Sequence, residues 1–525
     1  MRLWIAVGGL LSLGLAWVMA GTPAERASRL TRSEMQAVVQ FLSDDLIEGR
    51  APGTRGGQLA ETYMESVFKL LGLAPGWKES YSQPFTLDGF ESHDVRLQAG
   101  AVTLEQFDAL MGTWRGPSGP FKFTGEAVFV GFGIRTPIWS WDDFKDADFA
   151  GKILFVRAND PGLFQGEIFE GSQLTVFGRW SYKIEEAARA GAAAVILIHT
   201  DETAGYGWDV VRNSWSGEQV YLPPPPGFPL KFSGWVTETG FRRILERAGQ
   251  DLDDLYRKSL DRRFRPQPLG LPVTISGDNT RRELTCRNVV ACLPGKTDRQ
   301  IVVSAHVDHL GANSALKGDT IFNGAIDNGS AVAAMVLVAK VLRESGVELR
   351  HTVTFLACQA EEHGLLGSRY FAEKMDRDKA VANLNFESAP VWEVSTDVMA
   401  VGGRYSTLGD LAREIAAERG WGYSEFSMVD QGFFFRSDQF SFARVGVPSV
   451  WLSAGESFQK GRNHLRDFFR GAYHTVDDEY DPGWPLDSLR QTVELTVRLI
   501  ERLDASAEKP HWKEPLPFPV PASNR

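Results

Sequence analysis

The chain has 525 residues, 43% of them hydrophobic, and a net charge of −11 from 56 Lys and Arg against 67 Asp and Glu. That length exceeds one ordinary domain and implies two or three, with apolar material enough for sizeable cores. The acidic balance, without any Lys/Arg run, excludes nucleic-acid binding as the main task, and with only 3 Cys the cores rather than disulfides must supply the stability.

Residues 1–20 read as a signal peptide: Met1-Arg2, an apolar run, and Val18-Met19-Ala20 as a small-residue cleavage site. This predicts a periplasmic or secreted protein, free of the membrane once the signal is removed. An uncleaved anchor is the alternative, since the run approaches the roughly 18 residues of a membrane span. Residues 32–76 read as helix, loop, helix, and the Gly- and Pro-rich stretch 50–57 is the loop. Arg50 and Arg55 read there as solvated charges. From Gly116 the texture turns to strands: 121–133 alternates, 149–156 holds a Gly-led strand, 181–191 is a helix and 192–198 a buried strand. No metal or nucleophile constellation lies between 116 and 278. Trp208, Trp215, Tyr221 and the prolines 223–226 make a stiff aromatic segment that borders a cleft or packs between domains. Cys286 and Cys292 lie six residues apart in an extended run, about 20 Å at the strand rise, too far to pair. Cys358 reads as a small buried hydrophobe.

The chemistry gathers between 301 and 389. Residues 301–305 are a short apolar strand followed at once by His306 and Asp308; 324–330 is a loop holding Asp327, and Ser330 reads as the N-cap of an apolar helix. Residues 352–357 form a second buried strand, with Glu361 and Glu362 just beyond it, and 384–386 a third, ending at Glu387. His474 follows in a later loop. Open α/β sheets place their sites beyond the carboxyl ends of strands. Zinc takes imidazole nitrogen and carboxylate oxygen, two metals about 3.5–4 Å apart need a bridging group, and a spare carboxylate can act as proton acceptor. Two His, three acidic ligands and one spare Glu suit a two-metal hydrolase.

These residues resemble the M28 family of co-catalytic zinc metallopeptidases. The resemblance is carried by His306-Val307-Asp308, Asp327-Asn328-Gly329-Ser330, Glu361-Glu362, Asn385-Phe386-Glu387 and Tyr473-His474, in that order. It implies an α/β fold with a mixed, mostly parallel sheet flanked by helices. It implies two zinc ions bridged by Asp327, one held with His306 and Glu387, the other with Glu362 and His474. Glu361 would be the general base for water activated by the metal pair. Asp308 would orient His306, Tyr473 would stabilise the tetrahedral intermediate, and a cis peptide would join Asp327 to Asn328. Glu387 departs from the family's Asp by one methylene. The stretch 433–451 resembles the family's substrate-pocket segment, with Asp438 a pocket residue or a helix cap, and Gln439 where the family often has His.

The order of elements between 116 and 278 resembles a protease-associated (PA) domain, β-rich and smaller, inserted into the peptidase domain. The expected division is then 1–20 signal, 21–115 first part of the peptidase domain, 116–278 insert, 279–505 main part, and 506–525 a Pro-rich, poorly ordered tail. Residues 410–420 read as a helix closed by Gly420 and 487–503 as an amphipathic closing helix. His309 should point away from Asp308, and His199, His351, His363 and His464 read as structural. The spacing leaves open which peptide end is cut; the resemblance points to peptide substrates cut at the amino end. A carboxypeptidase or dipeptidase of the same fold, a single-zinc glutaminyl cyclase and a non-catalytic receptor-like protein are the alternatives.

Overall fold

The computed structural model describes residues 22–521 apart from Ala315, Gln459 and Lys460; the expected signal peptide, 1–20, lies outside the described residues. The first long helix, α1 (Arg32–Leu42), starts at a capping box of Thr31 with Glu34 and buries Met35, Val38, Val39 and Leu42, which fall at helical spacing. α2 (Arg55–Leu70) follows the Gly-rich loop and is capped by Thr54. Next come β1 (Ser82–Ala99), β2 (Leu110–Trp114), β3 (Gly119–Phe129), β4 (Ile153–Arg157), α3 (Trp180–Arg189), β5 (Ala194–His199), β6 (Phe232–Thr237) and β7 (Gln267–Leu293). The remainder runs through β8 (Thr297–His306), α4 (Ala331–Ser345), β9 (His351–Cys358), β10 (Ala380–Asn385), β11 (Asp397–Val401), α5 (Thr407–Arg419), β12 (Gly422–Ser424), β13 (Ser449–Ala454) and α6 (Asp487–Ala505).

In the larger lobe the strand order is β12-β11-β13-β10-β8-β9-β7. β8 is parallel to both β9 and β10, β10 is parallel to β13, and β7 closes the other side antiparallel to β9. Strands covered on both faces read as continuous apolar runs: Val303, Ala305, Val353, Phe355 and Leu384 are all buried against α4 and α6. Among the described residues only Ala325–Ser345 is long and apolar enough to cross a membrane, and 94% of its most apolar window is buried as the core helix of this lobe.

The smaller lobe continues the same sheet, in the order β7-β3-β4-β5-β6-β2, with β3 to β6 parallel. One face packs Phe129, Phe155, Ile196 and Phe232, the other Leu154, Val195 and Trp235 against Ile184 and Ala187 of α3. β7 serves both lobes, with Val273 and Ile275 in the smaller core and Val289 and Ala291 in the larger. β1 lies antiparallel along it, from Ser82 opposite Val289 to Ala99 opposite Val273.

Three expectations change. The smaller lobe begins upstream of Gly116, because Val95, Leu97 and Leu104 already belong to its core; one continuous strand crosses the boundary, so its alternation shows no break. The tail after Ala505 is anchored rather than loose: Trp512, Leu516 and Phe518 are buried among Tyr405, Phe434 and Phe435, and the Trp512 indole donates to the Gly446 carbonyl at 3.0 Å. Ser330 does not cap α4 with its side chain; its hydroxyl turns back to the Ile326 carbonyl at 2.9 Å. The three cysteines are free, Cys286 and Cys292 as their spacing required and Cys358 as a buried thiol.

Candidate metal centre

The parallel register brings the ligand-bearing strand ends together. His306 stands opposite Cys358, and Ser304 opposite Asn385, so His306, the Glu361-Glu362 pair and Glu387 leave the sheet at one edge. Asp327 arrives from the turn before α4, where the Asp327–Asn328 peptide is cis. Asn328 ties that turn to the end of β10, its Nδ2 donating to the Phe386 carbonyl at 3.3 Å and its Oδ1 accepting from the Ser388 amide at 2.8 Å.

The donor atoms converge. His306 Nε2 lies 3.2 Å from Glu387 Oε1 and 3.3 Å from Asp327 Oδ1. His474 Nε2 lies 3.2 Å from Asp327 Oδ2 and 3.1 Å from Glu362 Oε2. Two donors on one tetrahedral zinc, each about 2.0–2.1 Å from it, stand roughly 3.3 Å apart, so the spacing fits the ion. Alignment agrees: His474 Nε2 and Asp327 Oδ1 are buried without a hydrogen bond despite these short separations, as atoms aimed at a common third point would be. Two groups of potential ligands share Asp327, one with His306 and Glu387 and one with Glu362 and His309. Glu387, a methylene longer than the expected aspartate, still reaches the first group, steadied by the Ser437 hydroxyl at 2.7 Å from Oε2.

Electrostatics follows from burial and the crowd of carboxylates. Burial opposes charge on His474, but Glu362 and Asp327 outweigh it and lift the imidazole to about 10. Burial also holds the Glu361 carboxyl well above its usual range, with Glu387 and Glu362 adding to the effect, and raises Asp308 to about 7. The Asp308 carboxylate accepts from the amides of Glu361 and Glu362 at 3.1 and 3.4 Å. It stands 3.8 Å from His306 Nδ1, whose nearer partner is the Asp308 carbonyl at 3.2 Å. Tyr473 stacks on His474 with centroids 3.9 Å apart and borders the cavity described below. Asp438 is fully buried and absent from the cavity wall, and it makes no cap bond to the helix it precedes.

Several residues escaped the sequence reading. His309 turns toward the site, its Nδ1 2.6 Å from Glu362 Oε1; its place directly after the His-x-Asp motif was the available signal. Arg50 is not solvated but fully buried. Its guanidinium donates to the carbonyls of Val307 at 2.9 Å, Gly324 at 2.8 Å and Asp327 at 3.3 Å, and also to those of Leu42 and Asn323. It thereby clamps the loop after His306 to the turn carrying Asp327. Asp478 accepts from the amides of Ile326 and Asp327 at 2.8 and 2.9 Å. Arg55, by contrast, is exposed and paired with Glu48 as a surface charge. His199, His351 and His464 meet Tyr206, Thr297 and Trp392 respectively, away from the donors.

A cavity of about 1970 Å³ opens over the site. The larger lobe contributes Glu361, Tyr473, His474 and the rings of Phe433 and Phe469; the smaller lobe contributes Arg179, Tyr206, Trp215 and Tyr221; the tail contributes Leu516 and Phe518. The aromatic segment at 208–221 thus borders a cleft.

Fold and donors together define an α/β domain with two adjacent candidate metal sites. Residues 288–500 match the model of Peptidase family M28. Among curated proteins, the chain is 27% identical over 228 residues to a probable lipoprotein aminopeptidase LpqL of Mycobacterium tuberculosis, a match covering 41% of this chain and 42% of that protein. It is 28% identical over 205 residues to leucine aminopeptidase 1 of Neurospora crassa, covering 36% and 47%. The chain thus spans less than half the length of either relative. Among solved structures, an aminopeptidase from Aneurinibacillus sp. strain AM-1 superposes with TM-score 0.55 at 19% identity, covering 93% of this chain and 97% of that one. A peptidase M28 precursor from Shewanella amazonensis SB2B superposes with TM-score 0.50 at 16% identity, covering 94% and 98%. At such identities the likeness establishes a shared fold.

Proposed function

We propose that the protein is a two-metal zinc exopeptidase that removes the N-terminal residue of peptides, working in the periplasm or outside the cell. The observation that carries this is the pair of donor groups sharing Asp327, with Glu361 beside them on the cavity wall. We assign His306, Asp327 and Glu387 to one zinc and Asp327, Glu362 and His474 to the other. Bound there, the two ions would supply Lewis-acid polarisation of the scissile carbonyl and an acidified water.

The chain's own residues do the rest. Glu361, with its carboxyl raised by burial, accepts the proton of the attacking water and passes it to the leaving amine. Asp308 fixes the Glu361-Glu362 backbone through its two accepted hydrogen bonds. Tyr473, held against His474 and within 5.0 Å of the Phe469 ring, directs its hydroxyl toward the developing oxyanion. Phe433 and Phe469, 4.8 Å apart on the wall, favour an apolar side chain on the residue released. The smaller lobe we read as a PA-type domain that narrows access. Names of the relatives favour the amino end, and two donor groups favour two metals over the single zinc of a cyclase.

The test is hydrolysis of Leu-p-nitroanilide against its N-acetylated form by zinc-loaded protein, with Glu361→Gln as control. Cleavage of the free-amine substrate alone, lost in the control, is the expected result. Cleavage of neither by the wild-type protein would refute an aminopeptidase acting on leucine.

A further inference from the structure

Two arginines on the cavity wall form no ion pair among the described residues. Arg179, from the smaller lobe, immediately precedes α3; Arg436, from the larger lobe, precedes Ser437. Both border the main cavity together with Glu361, and both border a small void beside Tyr206, which places them as neighbours across the lobe boundary. Arg179 Nε is buried without an acceptor. Arg436 has one long contact, Nη1 to Gln431 Oε1 at 3.4 Å, and lies over the Phe433 ring at 5.1 Å.

Two other arginines that are fully or largely withdrawn from solvent are matched. Arg50 meets five carbonyls, and Arg287 meets Glu61 and Glu65. Two partly desolvated like charges side by side are costly without a counter-ion; burial, and then Arg436, pull Arg179 down to about 10. The N-terminus of α3, a ten-residue helix without a side-chain cap, adds positive potential at the same wall, which Trp180 and Ser181 also border. Planar guanidinium groups match a carboxylate in bidentate fashion.

We propose that Arg179, Arg436 and the start of α3 form a subsite for a carboxylate carried by the part of the peptide that departs as the amine leaving group. This rests on the exopeptidase reading above. Glu361 borders the same cavity as the two arginines and is the group that protonates the leaving amine, so we place the anion that meets the arginines on the leaving side. The preferred substrates are then very short peptides, whose free terminus falls there, or peptides with an acidic second residue.

The experiment compares kcat/KM of zinc-loaded full-length protein on Leu-Ala, Leu-Ala-amide and Leu-Glu-amide. A charge-assisted pair is worth about 1.5–3 kcal/mol, so at least one carboxylate substrate should exceed Leu-Ala-amide by about tenfold or more. Preference for Leu-Ala identifies the chain terminus as the source; preference for Leu-Glu-amide identifies the side chain. Arg179→Gln should bring the ratio close to one, and Arg179→Lys should restore part of it. In parallel, N-acetylalanine should bind the zinc-loaded protein more tightly than N-acetylalaninamide by calorimetry, and lose that advantage in Arg179→Gln. A wild-type ratio near one, or a ratio and binding difference unchanged in Arg179→Gln, would overturn the subsite. If no peptide is hydrolysed, the exopeptidase reading fails and the calorimetric comparison decides the subsite alone.

Discussion

In the smaller lobe, Lys183 is buried within electrostatic reach of Asp143 and Asp160, and Arg157 is stacked on Phe132, Phe164 and Tyr256. Two buried carboxyls there lie within electrostatic reach of two cations that the chain itself provides, without a direct ion pair among the described residues. In the larger lobe, Asp308, Asp327, Glu361, Glu362, Glu387, Asp438 and Asp478 are drawn into one electrostatic cluster. Arg50 and the imidazoles are too few to balance them. The first cluster balances in formal charge, two against two, whereas the second has more carboxyls than cations. Charge bookkeeping of buried groups therefore separates a structural cluster from a candidate metal centre, even where both perturb their members strongly.

The sharpest way to break this contrast is Asp327→Asn, which removes the shared acceptor. Zinc content by elemental analysis should fall from two ions per chain to one or none, and turnover should fall by about a thousandfold or more, since a metal supplies several kcal/mol to the transition state. Two zinc ions retained by this variant would refute the sharing. Arg50→Met comes next: stranding five carbonyls in the core should cost about 3–5 kcal/mol of stability and weaken zinc binding by about 10–100-fold, with Arg50→Lys recovering part of both. A loss of stability without any change in zinc affinity would leave Arg50 as scaffold alone.

Metal removal should act on one lobe's balance and not the other's. Stripping zinc with a chelator and restoring it to about a hundred times its dissociation constant should return about 2.7 kcal/mol of stability, visible as a rise in Tm. That rise should survive Lys183→Met and shrink or vanish in Asp327→Asn. The smallest effect concerns pH. Burial lowers Lys183 from 10.5 to about 7, against the pull of Asp160 and Asp143. Its folded-state value is depressed, so its contribution is fully present above the ordinary lysine range and is lost as pH falls toward 7. Denaturant midpoints of the wild type, corrected by those of Lys183→Met, should therefore rise between pH 7 and pH 10; a flat difference would remove Lys183 from the comparison.

The larger lobe was legible because each apolar strand delivers its donor within a few residues of its end. His306, Glu361, Glu362 and Glu387 could be read from one dimension, and the parallel register gathered them. Arg50 was not legible. Its partners are backbone carbonyls as far as 277 residues away, and a carbonyl carries no residue identity for a sequence to display. The tail was misread for a related reason: prolines announce the absence of regular structure, while Trp512 and Phe518 hold it by ring contacts that need the folded partner. The lobe boundary was misplaced because β1 and β7 keep their strand pattern straight through it.

Those two strands also determine how the molecule comes apart. β7 contributes side chains to both cores, so melting either lobe frays a strand on which the other depends. Scission at 116 and 278 would leave β1 and β7 each cut off from half of their packing, and neither fragment would be a self-contained folding unit. Calorimetry should accordingly record one cooperative endotherm for the pair, in which an apparent two-lobed body behaves as a single domain.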